Sequence, residues 1–137
     1  GNNYKEYDIN YDKSGNITFL KRNDGATVWD NLTYTYYQGR LNTVEDNGGS
    51  SDGVKVGTSV YQFDNAGNLT SDGNKNAGIA YNILNLPRQI SINSKTIGYH
   101  YDGTGAKVRI NNGTVNTKYA GIFEYFFINQ VKTNLRE

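Results

Sequence analysis

Three aspartates recur in one phrase, and their carboxylates are the first groups in this chain that could do chemistry. The phrase is an aromatic residue, Asp, two variable residues and Gly. It reads YDKSGNIT from Tyr11, FDNAGNLT from Phe63 and YDGTGAKV from Tyr101. Neighbouring carboxylates can divide acid and base work between them, so Asp12, Asp64 and Asp102 invite an enzymatic interpretation. The same residues also carry turn chemistry. Asp at the first corner of a β-turn accepts hydrogen bonds from backbone amides two or three residues on. Gly at the fourth position tolerates the positive φ of a type I turn followed by a bulge. Because the whole phrase recurs, Asp12, Gly15, Asp64, Gly67, Asp102 and Gly105 are assigned to turns and not to a site.

Other reactive combinations are thin. The chain has no Cys, and His100 is its only His, so the familiar nucleophile–base pairs are nearly excluded and no enzyme is expected. His100 lies between Tyr99 and Tyr101, so strand alternation turns it to the polar face, opposite both rings. Asp46 and Asp52 sit in the apolar-free stretch EDNGGSSDG, residues 45–53. Their spacing fits no standard calcium loop, and the stretch is expected to be a flexible, solvated loop. Residues 71–78, SDGNKNAG, are expected to be a second such connector. No metal or cofactor is implied. Four Asn-x-Thr sequons, at Asn16, Asn31, Asn68 and Asn112, match glycosylation acceptors. Two of them arise from the repeated phrase itself and are taken as incidental.

Aromatic rings supply the remaining candidates. Trp29, Tyr37 and the run Tyr125-Phe126-Phe127 break simple alternation, so some of these rings face away from the main core. Exposed Trp29 and Tyr37 can stack on sugar faces, which would make a carbohydrate-binding or adhesion module. The competing expectation is contact with neighbouring repeats, because a repeat array buries its faces only by stacking.

The elements that position these residues are strands. Upstream of each phrase, apolar and polar residues alternate, as in Ile9-x-Tyr11, Tyr61-x-Phe63 and Ile97-x-Tyr99-x-Tyr101. That period of two marks a half-buried strand. Downstream, Ile17-Thr18-Phe19, Leu69-Thr70 and Val108-Arg109-Ile110 supply return strands, so each phrase is a hairpin. A second element, YTYYQGRLNTV from Tyr34 and YNILNLPRQI from Tyr81, adds a Tyr-led strand, a short turn and spaced aliphatics. Asn112-Gly113 is a two-residue hairpin signal. The expected core includes Ile9, Tyr11, Ile17, Leu32, Tyr34, Val44, Tyr61, Phe63, Leu84, Ile97, Tyr99 and Tyr101, with Tyr11, Phe63 and Tyr101 on one side of the sheet. Twelve Tyr, sixteen Gly and a single Pro agree with an all-β, antiparallel fold.

The pattern YDxxGNLT followed by YNxLNLPxxI resembles the YD repeat of the rearrangement-hotspot (RHS) family. The likeness covers residues 7–46, 61–92 and 99–125, and the stretch from Lys118 to Tyr125 resembles the lead into that family's associated core. The third copy departs from the pattern, with Ala106 where Asn is usual. The resemblance implies one YD-repeat module over residues 1–137, cut from a longer protein. Its antiparallel hairpins would form a curved sheet strip, part of a shell that encloses a toxic or otherwise reactive domain. It also implies an exported or cell-surface location, with neighbouring repeats or the core of the same protein as partners. Self-cleavage does not carry over, since there is no DPxGL-like motif and Pro87 follows Leu86.

Charge narrows the partners further. Fourteen Lys and Arg nearly balance thirteen Asp and Glu, and no basic run exceeds Lys21-Arg22. Neither nucleic-acid binding nor membrane insertion is expected. A strip with cut ends exposes unpaired strand edges, and the apolar segment 122–128 has no evident internal partner. Self-association of the fragment, through an edge or by swapping that segment, is the resulting expectation.

Overall fold

The computed structural model describes residues 4–120 and 123–128. Every regular element among them is a β-strand, and the paired strands run antiparallel. The chain divides into two compact units, Gly1–Asn76 and Ala77–Glu137. The first holds β1 (Lys5–Tyr11), β2 (Ile17–Asp24), β3 (Thr27–Tyr37), β4 (Arg40–Asp46), β5 (Gly57–Phe63) and β6 (Leu69–Asp72). The second holds β7 (Ala77–Tyr81), β8 (Pro87–Ile92), β9 (Lys95–Tyr101), β10 (Lys107–Asn111), β11 (Val115–Ala120) and β12 (Phe123–Ile128). Within each unit every strand pairs with the next in sequence, so each unit is a meander.

The repeated phrases form the hairpins β1–β2, β5–β6 and β9–β10. A fourth hairpin, β7–β8, has the same form although its sequence was grouped with the other element. In all four the last residue of the incoming strand pairs with the first of the return strand: Tyr11↔Ile17, Phe63↔Leu69, Tyr81↔Pro87 and Tyr101↔Lys107. The next pair back is Asn10↔Phe19, Gln62↔Ser71, Ala80↔Gln89 or His100↔Arg109. One residue of each return strand is therefore bulged out: Thr18, Thr70, Arg88 and Val108. By contrast, β3–β4 closes through Gln38 and Gly39, both at positive φ, as a type I′ turn requires. The β10–β11 turn centres on Gly113-Thr114, one residue later than the Asn112-Gly113 signal. Asn112 N–H donates to the Val115 carbonyl, and of the two central residues only Gly113 has positive φ.

The core of the first unit follows from register. Leu20 pairs with Leu32, Tyr34 with Val44, and Val44 with Ser59. This places Leu20, Leu32 and Val44 on one face, where Leu32 is 1% exposed. Ile17, Tyr34, Leu41 and Tyr61 pack around them, joined by Val54. Leu20 and Val54 lay outside the expected core. Tyr11 and Ile9 lay inside it but are exposed, Tyr11 by 60%. Tyr11 pairs with core-facing Ile17, but β1 is an edge strand with no described strand beyond it to cover the ring; upstream, a second bulge between Tyr7 and Asn10, where Asp8 takes a φ of 52°, displaces Ile9 from the alternation. Phe63 and Tyr101, the equivalents of Tyr11, are half-buried. Leu84 is exposed because it lies in the β7–β8 turn. In the second unit Ile97 pairs with Ile90, yet a single sheet layer leaves it partly open.

Residues 45–53 depart most from expectation. Glu45 and Asp46 belong to β4, and the following segment folds back over the sheet as a strap. Asn47 N–H donates to the Asn31 carbonyl and Gly49 N–H to the Val28 carbonyl, each at 3.1 Å. Asp46, only 1% exposed, accepts from the backbone N–H of Asn31 and of Gly48, both at 2.8 Å. The strap thus delivers Val54 to the core. The connector 71–78 is also shorter than expected, since Ser71–Asp72 and Ala77–Gly78 are in strands. The segment 122–128 is not left unpaired: β12 pairs with β11 from Val115↔Ile128 to Ala120↔Phe123. Ile122 lies outside the described residues.

Candidate functional site: an aromatic groove and four turns

The turn aspartates are separated by whole strands, each consumed by its own hairpin. Asp12 Oδ1 accepts from Ser14 N–H at 2.8 Å and Asn16 N–H at 2.9 Å, and Oδ2 accepts the Asn16 side-chain amide at 2.9 Å. Asp64 accepts from the backbone and side-chain nitrogens of Asn68 at 2.8 and 2.9 Å. Asp102 lacks that Asn partner, because Ala106 stands there. It accepts instead from the Thr104 hydroxyl at 2.6 Å, the Thr104 N–H at 2.8 Å and the Ala106 N–H at 3.0 Å. The Asn side-chain amide, or the Thr104 hydroxyl, is the main cause that holds these carboxyls below the usual carboxylate range; backbone N–H groups add to it. Such carboxylates stay ionised and are poor general acids. Gly15, Gly67 and Gly105 have φ of 84°, 92° and 89°, and each donates its N–H to the carbonyl of its own Asp at 3.1 Å.

The fourth turn uses different letters for the same geometry. Asn82 Oδ1 accepts from Leu84 and Leu86 N–H at 2.9 Å. Asn85 donates to the Asn82 carbonyl at 3.0 Å and takes a φ of 56°. Asn replaces Asp as acceptor and replaces Gly in the left-handed region, which Asn enters more readily than most residues. The spacing Tyr81-Asn82-x-x-Asn85 was the available signal.

Trp29 occupies a more suggestive place. It is the extra residue of a bulge, since Arg22 pairs with Asp30 while Asn23 pairs with Val28. Bulges re-aim side chains, and here the indole lines a groove of about 420 Å³. Tyr4 stands beside it, with ring centroids 5.7 Å apart and planes tilted by 59°. Glu6, Arg22, Asn23 and Asp52 add polar groups to the walls. The floor is braced by Asp30, which is fully buried and accepts Arg22 Nε at 2.8 Å and the strap's Val54 N–H at 2.7 Å. Asp30 escaped notice in the sequence, although it falls in phase with Leu32 and Tyr34. An inward charge in a strand marks a buried pair. The groove can take a flat ligand with polar edges, its face against the rings.

Tyr37 is 68% exposed but lies elsewhere. It sits eight positions along the same strand from Trp29, about 26 Å away at strand rise. There it borders a smaller hollow with Arg40 and Phe63. The two candidate rings are therefore not brought into one site. His100 is exposed, as alternation required. Asp46 and Asp52 do not converge on a shared point: Asp46 is buried by the strap, and Asp52 accepts the Ser50 hydroxyl at 2.8 Å. Among the described residues no group of three His, Cys, Asp or Glu side chains is gathered to hold a metal ion. No helix among them is long and apolar enough to cross a membrane. No protein-family model matches the chain, and no curated protein matches it.

Proposed function

We propose that this chain is a structural repeat module of the RHS, or YD-repeat, type. In this reading it forms part of a β-shell or extended surface that encloses or presents another domain of an exported protein. The observation that supports it most is the identity of the four hairpins in turn geometry, pairing and bulge. Residues spent on turn closure four times over are building units, and repeat arrays gain stability by stacking such units on neighbours. The partners are adjoining repeats or the core of the same polypeptide. Electron cryomicroscopy of the intact gene product tests this. Strands continuing from β1 or β12 around a closed interior are expected. Flanking regions that add no strands to either edge would overturn it.

A second reading, a carbohydrate-binding or adhesion module, is favoured by the Trp29–Tyr4 groove. Aromatic rings beside carboxylate, amide and guanidinium groups suit a sugar, whose apolar face stacks while its hydroxyls bond at the edges. A glycan array tests it: selective binding that is lost in Trp29→Ala supports a lectin role. Binding unaffected by that change, or no selective binding, removes it.

A further inference from the structure

The groove beside Trp29 has a charge balance that its outline does not show. Glu6, Asp30 and Asp52 line it against Lys5 and Arg22. Arg22 is already committed. Its Nε donates to the fully buried Asp30 at 2.8 Å, so these two charges cancel within the floor. Lys5 pairs with Asn23, whereas Glu6 pairs with Arg22. Strand alternation therefore sends the Lys5 ammonium to the face opposite Glu6 and Arg22. Glu6 and Asp52 remain at the mouth, both exposed. Glu6 forms no ion pair with any described residue. The Asp52 carboxylate accepts a neutral donor, the Ser50 hydroxyl, at 2.8 Å. The surrounding unit adds charge of the same sign, since Gly1–Asn76 carries ten Asp and Glu against seven Lys and Arg.

Two features of this mouth select a ligand with positive charge. Ionised carboxylates only accept hydrogen bonds, and a bond from an ionised donor is roughly twice as strong as a neutral one. The rings act in the same direction. Faces of Trp and Tyr attract a cation held within about 6 Å of the centroid. The Trp29 and Tyr4 centroids are 5.7 Å apart with planes tilted by 59°, so the rings form a wedge and not a stack. A sugar seated on the indole through its apolar face turns its substituents toward the polar walls. An ammonium among those substituents enters the field of two carboxylates and two ring faces. A sugar acid would set a third carboxylate against the same two and is disfavoured.

We propose that the Trp29 groove binds an amino sugar that keeps a free, protonated amine, as in an oligomer of glucosamine. Glu6 and Asp52 hold the ammonium, Trp29 carries the ring, and the Arg22–Asp30 pair closes the floor without offering a free charge. This assignment rests on the carbohydrate-binding reading of the groove and adds the class of sugar to it.

Calorimetric titration of the whole chain at mildly acidic pH, where the sugar amines are charged, tests the assignment. The probes are the glucosamine trimer and the N-acetylglucosamine trimer, which has the same linkage but neutral amides. The amine trimer should bind at least ten-fold more tightly, and that advantage should shrink as salt is raised. Glu6→Gln/Asp52→Asn alters two exposed side chains at constant size. It should bring the amine trimer down to the affinity of the acetylated one, which itself stays unchanged. Glu45→Gln removes an exposed charge of the same unit outside the groove and should change neither. Equal affinities in the unaltered chain, or an advantage that survives in Glu6→Gln/Asp52→Asn, overturn the amine assignment. If Trp29→Ala still weakens both trimers in that case, the carbohydrate-binding reading stands without it. Absence of saturable binding by the amine trimer also overturns the assignment, and the glycan array then decides the wider reading alone.

Discussion

The hydroxyl of Tyr101 donates to the carbonyl of Pro87 at 2.9 Å, reaching from β9 to the first residue of β8. The same relationship recurs in the first unit, where the Tyr36 hydroxyl donates to the Ile17 carbonyl at 2.8 Å. Ile17 and Pro87 are equivalent, each opening the return strand of a turn-and-bulge hairpin. A tyrosine on the following strand thus satisfies a carbonyl at the bulge, where ladder pairing is interrupted. Tyr36→Phe and Tyr101→Phe should each destabilise by about 0.5–1.5 kcal/mol, measured as a lower urea midpoint with unchanged slope. Burial first, and the Asp12 charge second, raise the Tyr36 hydroxyl above its usual pKa. A raised folded pKa contributes stability below the unfolded value and loses it as pH climbs through the folded one. Tyr36→Phe should therefore flatten the alkaline limb of the stability curve.

Substitution at the turns should separate glycines by conformation. Gly67 has a φ of 92°, and a β-carbon there would lie 3.3 Å from Arg40 Nη2. Gly67→Ala should cost about 1 kcal/mol or more, because an L-residue resists that backbone geometry. Gly103 belongs to the third copy but has no positive φ and open space around it. Gly103→Ala should change stability by less than about 0.5 kcal/mol. Equal effects in thermal melts would remove the left-handed turn from the explanation.

The strap offers a sharper contrast. A β-carbon on Gly48 would collide with the Trp29 carbonyl oxygen and sit 2.9 Å from Asp46 Oδ1. On Gly49 the nearest atom, the Val28 carbonyl oxygen, is at an ordinary 3.5 Å. Gly48→Ala should cost about 1–3 kcal/mol through overpacking and admit proteases to residues 47–56. Gly49→Ala should do neither. Mass-spectrometric mapping of early cleavage sites reads the difference.

Acid should loosen the turns in a defined order of causes. The folded carboxyls of Asp12, Asp64 and Asp102 are lowered. Their contribution is thus complete above the unfolded carboxylate pKa and is lost as pH falls through the lowered folded values. Asn16→Ala removes the largest cause at Asp12 and should move that carboxyl's titration upward while leaving Asp64 unmoved. Carbon-detected NMR of the side-chain carboxyls follows both groups in one experiment.

Local rules carried much of the fold into the sequence. Turn phrases named three hairpins because Asp and Gly are tied to their own backbone within five residues. Asn82 and Asn85 escaped because the same geometry accepts other letters. Ile9 was misplaced because one left-handed residue, Asp8, resets the alternation without leaving a pattern, and Tyr11 because spacing does not show that its strand is an edge. The strap was missed for a different reason. EDNGGSSDG has the composition of a solvated loop, but Asp46 accepts from Asn31 N–H and Asp30 from Val54 N–H, backbone amides that only folding brings near. Trp29 stood out as an alternation breaker, while Tyr4 and Arg22 reach its groove through pairing that spacing alone does not reveal.

The single bulged residue after each repeated turn has a consequence for how such chains tolerate change. An incoming strand, its turn and its return strand together fix the parity of every side chain that follows. Since Thr70, Arg88 and Val108 are skipped at the same step, β5–β6, β7–β8 and β9–β10 are interchangeable cassettes with the same parity, while β1–β2, which skips Thr18 in the same way, carries a further bulge in β1 that changes the parity of its incoming strand. Exchanging one whole cassette for another preserves inside and outside downstream. Deleting a skipped residue alone would turn the rest of its strand over. The extra residue, idle in its own ladder, is what keeps lineages of such hairpins free to shuffle.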